Sequence, residues 1–275
     1  MAKTDQEIER LNRRAWSKPG VVEYFGALSE WTEDAGEPVV VAAIAAEVAG
    51  QPILDVGIGG GRTVPILMEI SKDYVGVDYT PEMVAAARAR FPTVRLEQGD
   101  ARDLSQFADG AFALVFFSAN GLDAVSHEGR AMFFREAHRV LQPGGVLAFS
   151  THNLDHRNAG RAPWDPRQKW PRDPRRVLRR VIRLPMAARG YLRNRRMAVR
   201  GEGWAMLASP LYDFGLVIHY ASLAETLREL SVAGFTGVVE VVDMFGGSLD
   251  PNGDTGGTKW FHLVTRRPPR SALQG

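Results

Sequence analysis

Short apolar runs alternate with helical stretches along most of the chain. Residues 5–30 read as helical, with Trp16, Tyr24 and Phe25 as large apolar positions, and 38–49 as an Ala/Val-rich helix closed by Gly50. Residues 52–56 form an apolar run of the kind a strand buried on both faces shows. It ends in Gly57-Ile-Gly-Gly-Gly61, and a helix is expected from Thr63. A second strand is expected at 73–78. Thr80-Pro81-Glu82 then reads as an N-cap, a proline in the first turn and an acid, opening a helix to about Arg90. Strands at 94–97, 112–117 and 146–151 follow, the last two separated by a helix from Ser126 to Leu141 and by Pro143-Gly144-Gly145. Five strands alternating with helices predict an α/β fold, a doubly wound and mostly parallel sheet with helices on both faces.

The rhythm breaks over residues 154–215 and resumes at Ser222, where Ser-x-x-Glu225 is a capping-box spacing. That helix ends at Gly234, and two further strands are expected near 236–244 and 258–266, around a Gly/Asp/Pro-rich loop at 246–257. The expected organisation is therefore a seven-stranded domain in two halves, 1–153 and 216–267. A helical lid insertion lies between them at 154–215, and a frayed tail follows at 268–275. No internal repeat is visible.

Composition narrows the chemistry. The 275 residues include no cysteine. That excludes a disulfide scaffold, a thiolate zinc site, an iron–sulfur cluster and a cysteine nucleophile. No apolar run approaches the ~18 residues of a membrane span. Residues 1–14 are polar, without the apolar segment of a secretory signal, so a cytoplasmic protein is expected. The net charge of +2 hides an asymmetry: residues 154–200 carry 15 Lys and Arg against Asp155, Asp165 and Asp173, a balance of +12 that leaves −10 on the rest.

The glycines at 57, 59, 60 and 61 let the backbone turn sharply and approach a ligand without a Cβ in the way. The sixth position from Gly57 is Arg62, so the dinucleotide pattern G-x-G-x-x-G is one glycine short. No Gly-Lys-Ser/Thr phosphate loop is present either. Spacing alone indicates a nucleotide-like site at the carboxyl ends of parallel strands. Asp55-Val-Gly57-Ile-Gly59-Gly-Gly61 resembles motif I of the class I S-adenosylmethionine-dependent methyltransferases of the small-molecule type. The likeness continues through Asp78 at the second strand end, Gly99-Asp100-Ala101 at the third, Ser118-Ala-Asn120-Gly-Leu122 after the fourth and Leu141-Gln-Pro-Gly-Gly145 before the fifth. The last helix, Gly234-Phe235 and two final strands match the family's antiparallel ending.

This resemblance implies a Rossmann-like methyltransferase fold, S-adenosylmethionine as cofactor, and methyl transfer. It puts Asp55, Gly57, Ile58 and Gly59 around the cofactor, with Asp78 on the ribose hydroxyls and Tyr79 and Met83 sandwiching the adenine. Gly99, Asp100 and Ala101 would read the adenine amino group, and Ser118 would complete the set. Met83 is as readily an ordinary core residue. Arg62 reads as lining the first helical turn. Related enzymes fold an N-terminal helix over the cofactor, which would bring Tyr24 to the methionine carboxylate and Trp16 over the pocket; otherwise this is an amphipathic helix docked by its aromatic side.

Methyl transfer is an in-line displacement at a sulfonium carbon. The protein must hold a nucleophile about 3 Å from the methyl and, for an oxygen acceptor, take its proton. Histidine suits that task near neutral pH. His152 follows the fifth strand, and with His219 and Asp123 it forms the candidate catalytic set; Tyr220, Trp16, His127 and Asn153 are candidate acceptor contacts. Against this, His152 could simply bond a loop carbonyl, His127 at a helix start reads as exposed, and His138 and His262 read as structural. No tight His/Asp/Glu cluster predicts a firmly held metal. Asp250, Asn252 and Asp254 share a loop but lack calcium-loop spacing, leaving a weak Mg2+ site shared with substrate as the one metal option.

In the insertion, Val177, Leu178, Val181, Ile182 and Pro185 interleave with Arg175, Arg176, Arg179, Arg180 and Arg183, an amphipathic helix that Pro185 should end or kink. Three roles fit: a lid or homodimer element with a solvated basic face, a site for an anionic or lipid-linked acceptor at a membrane surface, or RNA binding. The acidic remainder of the chain disfavours nucleic acid. The function expected is O-methylation of a sugar, glycan or secondary-metabolite hydroxyl. An RNA or lipid-linked substrate, or a non-catalytic nucleotide-binding module, is the alternative.

Overall fold

The computed structural model describes residues 3–27, 34–167, 171–237, 239–251 and 253–269. Strands β1 (Ile53–Val56), β2 (Tyr74–Asp78), β3 (Arg95–Gln98), β4 (Phe112–Phe117) and β5 (Leu141–His152) lie parallel in the order β3-β2-β1-β4-β5. The final strand of the chain, Trp260–Arg266, pairs antiparallel with β5, and the strand Glu240–Asp243 pairs antiparallel with that one. This is the doubly wound, seven-stranded, mostly parallel sheet expected.

Strand alternation builds the two cores. Leu54 and Val56 face a layer shared with Val77, Val115 and Phe117, roofed by Phe133, Phe134 and Ala137 of one helix (His127–Val140) and Leu230 of another (Leu223–Val232). Ile53 faces the opposite layer with Leu114 and Phe116, closed by Val40 and Ile44 of the helix Gly36–Ala45 and by Val64 and Leu67 of the helix Val64–Ile70. Asp55 has the parity of Ile53, so its carboxylate enters that second core.

Local signals hold with exceptions. Ser126 Oγ accepts from Gly129 N and caps the helix His127–Val140. Ser222 Oγ accepts from Glu225 N, but Glu225 turns to Arg228, so only half of the capping box forms. Thr80 occupies the N-cap position before the helix Pro81–Arg90 and makes no cap bond with its side chain. The helix expected over 5–30 is two, α1 (Lys3–Trp16) and α2 (Pro19–Ala27), because the residue before Pro19 resists helical geometry; residues 28–30 lie outside the described residues, as do 270–275 of the tail.

The insertion departs from a helical lid. It holds a long helix (Pro174–Asn194), which continues past Pro185, and two strands, Val199–Arg200 and Trp204–Ser209. These pair antiparallel with a third strand, Leu216–Ala221, as a separate three-stranded sheet. The inserted unit therefore runs to Ala221 rather than to 215, because this last strand pairs away from the main sheet. Helix α1 packs across it through Ile8, Leu11 and Ala15. Asn12 acts as a strand neighbour, donating from Nδ2 to Val217 O at 2.8 Å and accepting from Val217 N at 3.1 Å. Among the described residues no helix is long and apolar enough to cross a membrane.

Candidate active site

A cleft opens at the carboxyl ends of β1, β2 and β4. Gly57, Gly59 and Gly61 all have positive φ (68°, 53° and 84°), so the loop's course needs glycine. A Cβ on Gly57 would stand 2.4 Å from the Phe117 ring, whereas one on Gly59 would project into open space. Asp78 closes β2 with both oxygens engaged: Oδ2 accepts from Gly59 N at 2.9 Å and Oδ1 from Thr80 N at 2.8 Å. Burial pushes its carboxyl upward, against these bonds. Each oxygen keeps a lone pair for a further donor. One part of the cleft, about 150 Å³, is bounded by Trp16, Ile58, Gly59, Asp78, Met83 and Tyr212; a second, about 330 Å³, by Arg13, Tyr79, Gly99, Asp100 and Ala101. Gly57, Tyr79 and Phe117 line both.

Not every expected cofactor residue reaches this cleft. Asp55 lies beneath the loop, where Oδ2 accepts from Thr63 Oγ1 at 2.5 Å and Tyr74 Oη at 2.7 Å. Burial pushes its carboxyl up to about 7. It anchors the loop from below rather than contacting a ligand. Ser118 lines the cleft, but its hydroxyl donates to Glu37 and accepts from Arg62, and Arg62 makes a two-pronged pair with Glu37 at 2.5 and 2.8 Å. Asp100 lines the cleft while holding Arg102 at 2.9 and 2.7 Å, and Arg102 reaches Glu9 of α1. Tyr24 is 60% exposed, and Phe25 beside it is the α2 residue that lines the cleft. Trp16 Nε1 is buried at the cleft with no partner, an unmet donor. The open space above Gly59, the spare acceptor capacity of Asp78 and this donor fit a nucleoside with a polar tail such as S-adenosylmethionine.

A second cavity of about 650 Å³ adjoins the cleft, and Ala119 and Leu211 line both. Ala119 and Asn120 both hold left-handed φ (54° and 56°), strain that concentrates at functional turns. Asn120 Oδ1 is buried without a partner at this cavity. His152 lines its wall. Asp123 is fully buried behind it, with Oδ2 accepting from His152 N and facing His152 Nδ1, both at 2.7 Å. The other oxygen accepts from Arg130 at 2.8 Å and Thr151 Oγ1 at 2.6 Å. Arg130, itself fully buried, also binds Glu229. Asp123 is therefore a residue that orients His152 and has no surface on the cavity. Nδ1 is committed to the carboxylate, which leaves Nε2 for a ligand.

Tyr220 and Trp260 line the same cavity, with ring centroids 5.3 and 6.4 Å from His152. Asn153 borders it but is fully buried, donating to Thr255 O and Thr258 O, so it ties a loop. His219 is placed elsewhere. It is fully buried, stacked with His127 and Trp204, and its Nε2 lies 3.2 Å from His127 Nδ1. Burial holds the His219 imidazole far below its usual range, and Arg130 and His127 push the same way. His127 is half-buried against Trp204 rather than exposed, and neither histidine lines the second cavity. His127, His219 and Glu229 are the one group among the described residues that could hold a metal. That nitrogen-rich set suits Mg2+ poorly, and Glu229 already neutralises Arg130.

Residues without an assigned role in the sequence also line the cavity: His156, Arg157, Arg161, Arg167 and Lys259. Arg161 and Arg167 share Asp165. His156 sits lower than usual through burial, then through Lys259, Arg157 and Arg161. One signal was available: Asn120 before a glycine is a residue type that accepts left-handed backbone. The cationic lining had none, because its members are spread between residues 156 and 259.

Comparison with known proteins agrees with the cleft. Residues 53–145 match the family model described as a methyltransferase domain. This segment is a class I, S-adenosylmethionine-dependent methyltransferase domain. A probable S-adenosylmethionine-dependent methyltransferase of Mycolicibacterium smegmatis is 32% identical over 116 residues, covering 42% of this chain and 43% of the relative. Erythromycin 3''-O-methyltransferase of Saccharopolyspora erythraea is 34% identical over 147 residues, 50% of this chain and 44% of the relative. The chain thus spans less than half the length of these curated relatives. An S-adenosylmethionine-dependent methyltransferase from Mesorhizobium loti shares the fold at a TM-score of 0.57, with 24% identity and coverage of 88% of this chain and 100% of that one. So does Burkholderia thailandensis 1,6-didemethyltoxoflavin-N1-methyltransferase, described with bound S-adenosylhomocysteine, at 0.57 and 15% identity over 98% and 92%. The domain match ends before His152 and the insertion.

Proposed function

We propose that the chain transfers a methyl group from S-adenosylmethionine to a hydroxyl of a small-molecule acceptor, with His152 as the general base. The observation that carries this reading is the His152–Asp123 pair opening onto a cavity that shares Ala119 and Leu211 with the cofactor cleft. Bound in the cleft, the cofactor supplies an electrophilic methyl. Asp78 and the glycine loop hold its ribose end, and Trp16 and Tyr212 cover the cleft against water. His152 Nε2 takes the acceptor's hydroxyl proton as the oxygen attacks in line. Asp123, held by Arg130 and Thr151 Oγ1, stabilises the imidazolium and fixes the ring. The tilted Tyr220 ring and Trp260 give the cavity the apolar walls that suit a sugar ring or a flat secondary-metabolite scaffold. The cations at its rim favour an acceptor that also carries a carboxylate or phosphate.

Calorimetric titration with S-adenosylmethionine and S-adenosylhomocysteine, on the wild type and on Asp78→Ala, tests the cofactor. Binding of both, weakened at least tenfold in the variant, is expected. Acceptor screening with His152→Ala then tests the base: full turnover in that variant would overturn the assignment while leaving the cofactor reading intact.

A further inference from the structure

The insertion helix Pro174–Asn194 turns one face to the protein and the other to solvent. On the inner face Tyr191 packs edge-on against Phe214 and Trp164, buried Asn194 donates from Nδ2 to Phe214 O at 2.6 Å, and Arg183 pairs with Asp213 at 2.7 Å. An advance of about 100° per residue carries Leu178, Val181, Ile182, Met186 and Leu192 to the opposite side. All five are exposed, Leu178 by 61% and Ile182 by 68%. Arg175, Arg189 and Arg193 are interspersed in this stripe, Arg179 lies at its edge, and all four are exposed as well. The ion pairs of this helix use other arginines, Arg176 with Asp173 and Arg183 with Asp213. From Pro174 to Arg200 there are ten arginines and no acid.

We propose that this helix is an interfacial element that lays its outer face on an anionic lipid surface. The stripe enters the boundary between headgroups and acyl chains, and the arginines among its residues extend their long stems to lipid phosphates. Charge complementarity decides the occupant. A solvated basic face has no use for five exposed aliphatic side chains. RNA would take the arginines and leave the stripe wet. A second copy packed stripe to stripe would set arginine rows against each other. The surface also borders the acceptor side: Pro210 lines both the groove under the helix, beside Arg179 and Leu184, and the acceptor cavity. Docking by this face brings the segment that flanks the acceptor cavity to the lipid. The proposal stands apart from the reaction proposed above, since it uses none of its residues.

The test is cosedimentation of the full chain with vesicles of phosphatidylcholine, with and without phosphatidylglycerol, at about 0.15 M salt. Two exposed-face variants accompany it, Leu178→Glu/Ile182→Glu and Arg175→Gln/Arg179→Gln/Arg189→Gln/Arg193→Gln, each checked for an unchanged thermal midpoint. Binding is expected with the anionic vesicles, reduced at least tenfold by the glutamates. Neutralising the four arginines should reduce it by roughly several hundredfold, since each arginine near an anionic surface adds about fivefold. Four outcomes overturn the proposal: no binding to anionic vesicles; binding that survives the glutamate pair; binding of tRNA in place of vesicles; or a dimer in light scattering that the glutamate pair splits.

Discussion

Two histidine pairs lie a short way apart in this molecule, and they are built for opposite ends. His152 has a carboxylate on Nδ1 and a cavity before its remaining nitrogen. His219 has another imidazole on Nε2, no partner on Nδ1, and no solvent. Arg130 touches both systems through Asp123 and Glu229. What separates the proposed base from a packing residue here is the partner of one ring nitrogen and the surroundings of the other. In the proposed reaction Asp123 would stabilise a charge arriving on His152, whereas a charge on His219 would be buried beside Arg130.

The largest effect should come from the first pair. His152→Ala is expected to lower kcat by about 10²–10⁴-fold, with the dissociation constant of S-adenosylhomocysteine unchanged. His219→Gln should stay within a few-fold of wild type. Steady-state kinetics on the two variants decide the comparison, and equal losses would erase it. The next effect is structural. Asp123→Ala keeps the Arg130–Glu229 pair but removes the acceptor shared by Arg130 Nη1, Thr151 Oγ1 and His152 N, and buried donors left unpaired cost about 1–3 kcal/mol. Urea denaturation should show that loss, while His152→Ala, which removes no buried charge, should unfold near the wild-type midpoint.

These contrasts were partly legible in the sequence. Strand periods, the glycine loop and Asp78 follow from local patterns, and the domain match covers that same stretch, 53–145. Strand alternation also forbids His219 and Tyr220 from lining one cavity, once a strand is recognised there. The pairing of Leu216–Ala221 with the insertion instead of the main sheet hid that strand, since nothing local announces its partner. Asp55 shows the same limit: its motif position reads as a ligand contact, and its role as an anchor depends on Thr63 and Tyr74 meeting it from a helix start and another strand. His152 was readable as a strand-end histidine. Its carboxylate partner, 29 positions earlier in the chain, was readable only as a separate candidate.

Acid sharpens the comparison further. The folded His219 imidazole titrates well below 6.5, so below that pH the unfolded chain binds the additional proton and stability falls with falling pH, by up to about 1.4 kcal/mol per unit. Asp55, raised to about 7, acts in the opposite direction between its unfolded value near 3.8 and 7, because there the folded chain holds the extra proton. The clean quantity is therefore the difference between His219→Gln and wild type. That difference should move in the variant's favour as pH drops from about 6.5, measured by denaturant unfolding at a series of pH values. A constant difference would mean that His219 is not held neutral.

The smallest effect lies at the rim of the His152 cavity, which has no counterpart around His219. Arg157 and Lys259 line that cavity and depress His156, so the rim is positive before any acceptor arrives. An anionic handle held there contributes equally to the bound acceptor and to the transition state, because it lies away from the reacting oxygen. Uniform binding of this kind sets KM and leaves kcat alone. Solvent at the rim screens each charge, so Arg157→Ala or Lys259→Ala should raise KM for a carboxylate- or phosphate-bearing acceptor about fivefold, worth ~1 kcal/mol. The same substitutions should leave a neutral analogue unaffected. If KM stays fixed for both, the cations serve the fold, and the histidine pair alone distinguishes this side of the molecule from the other.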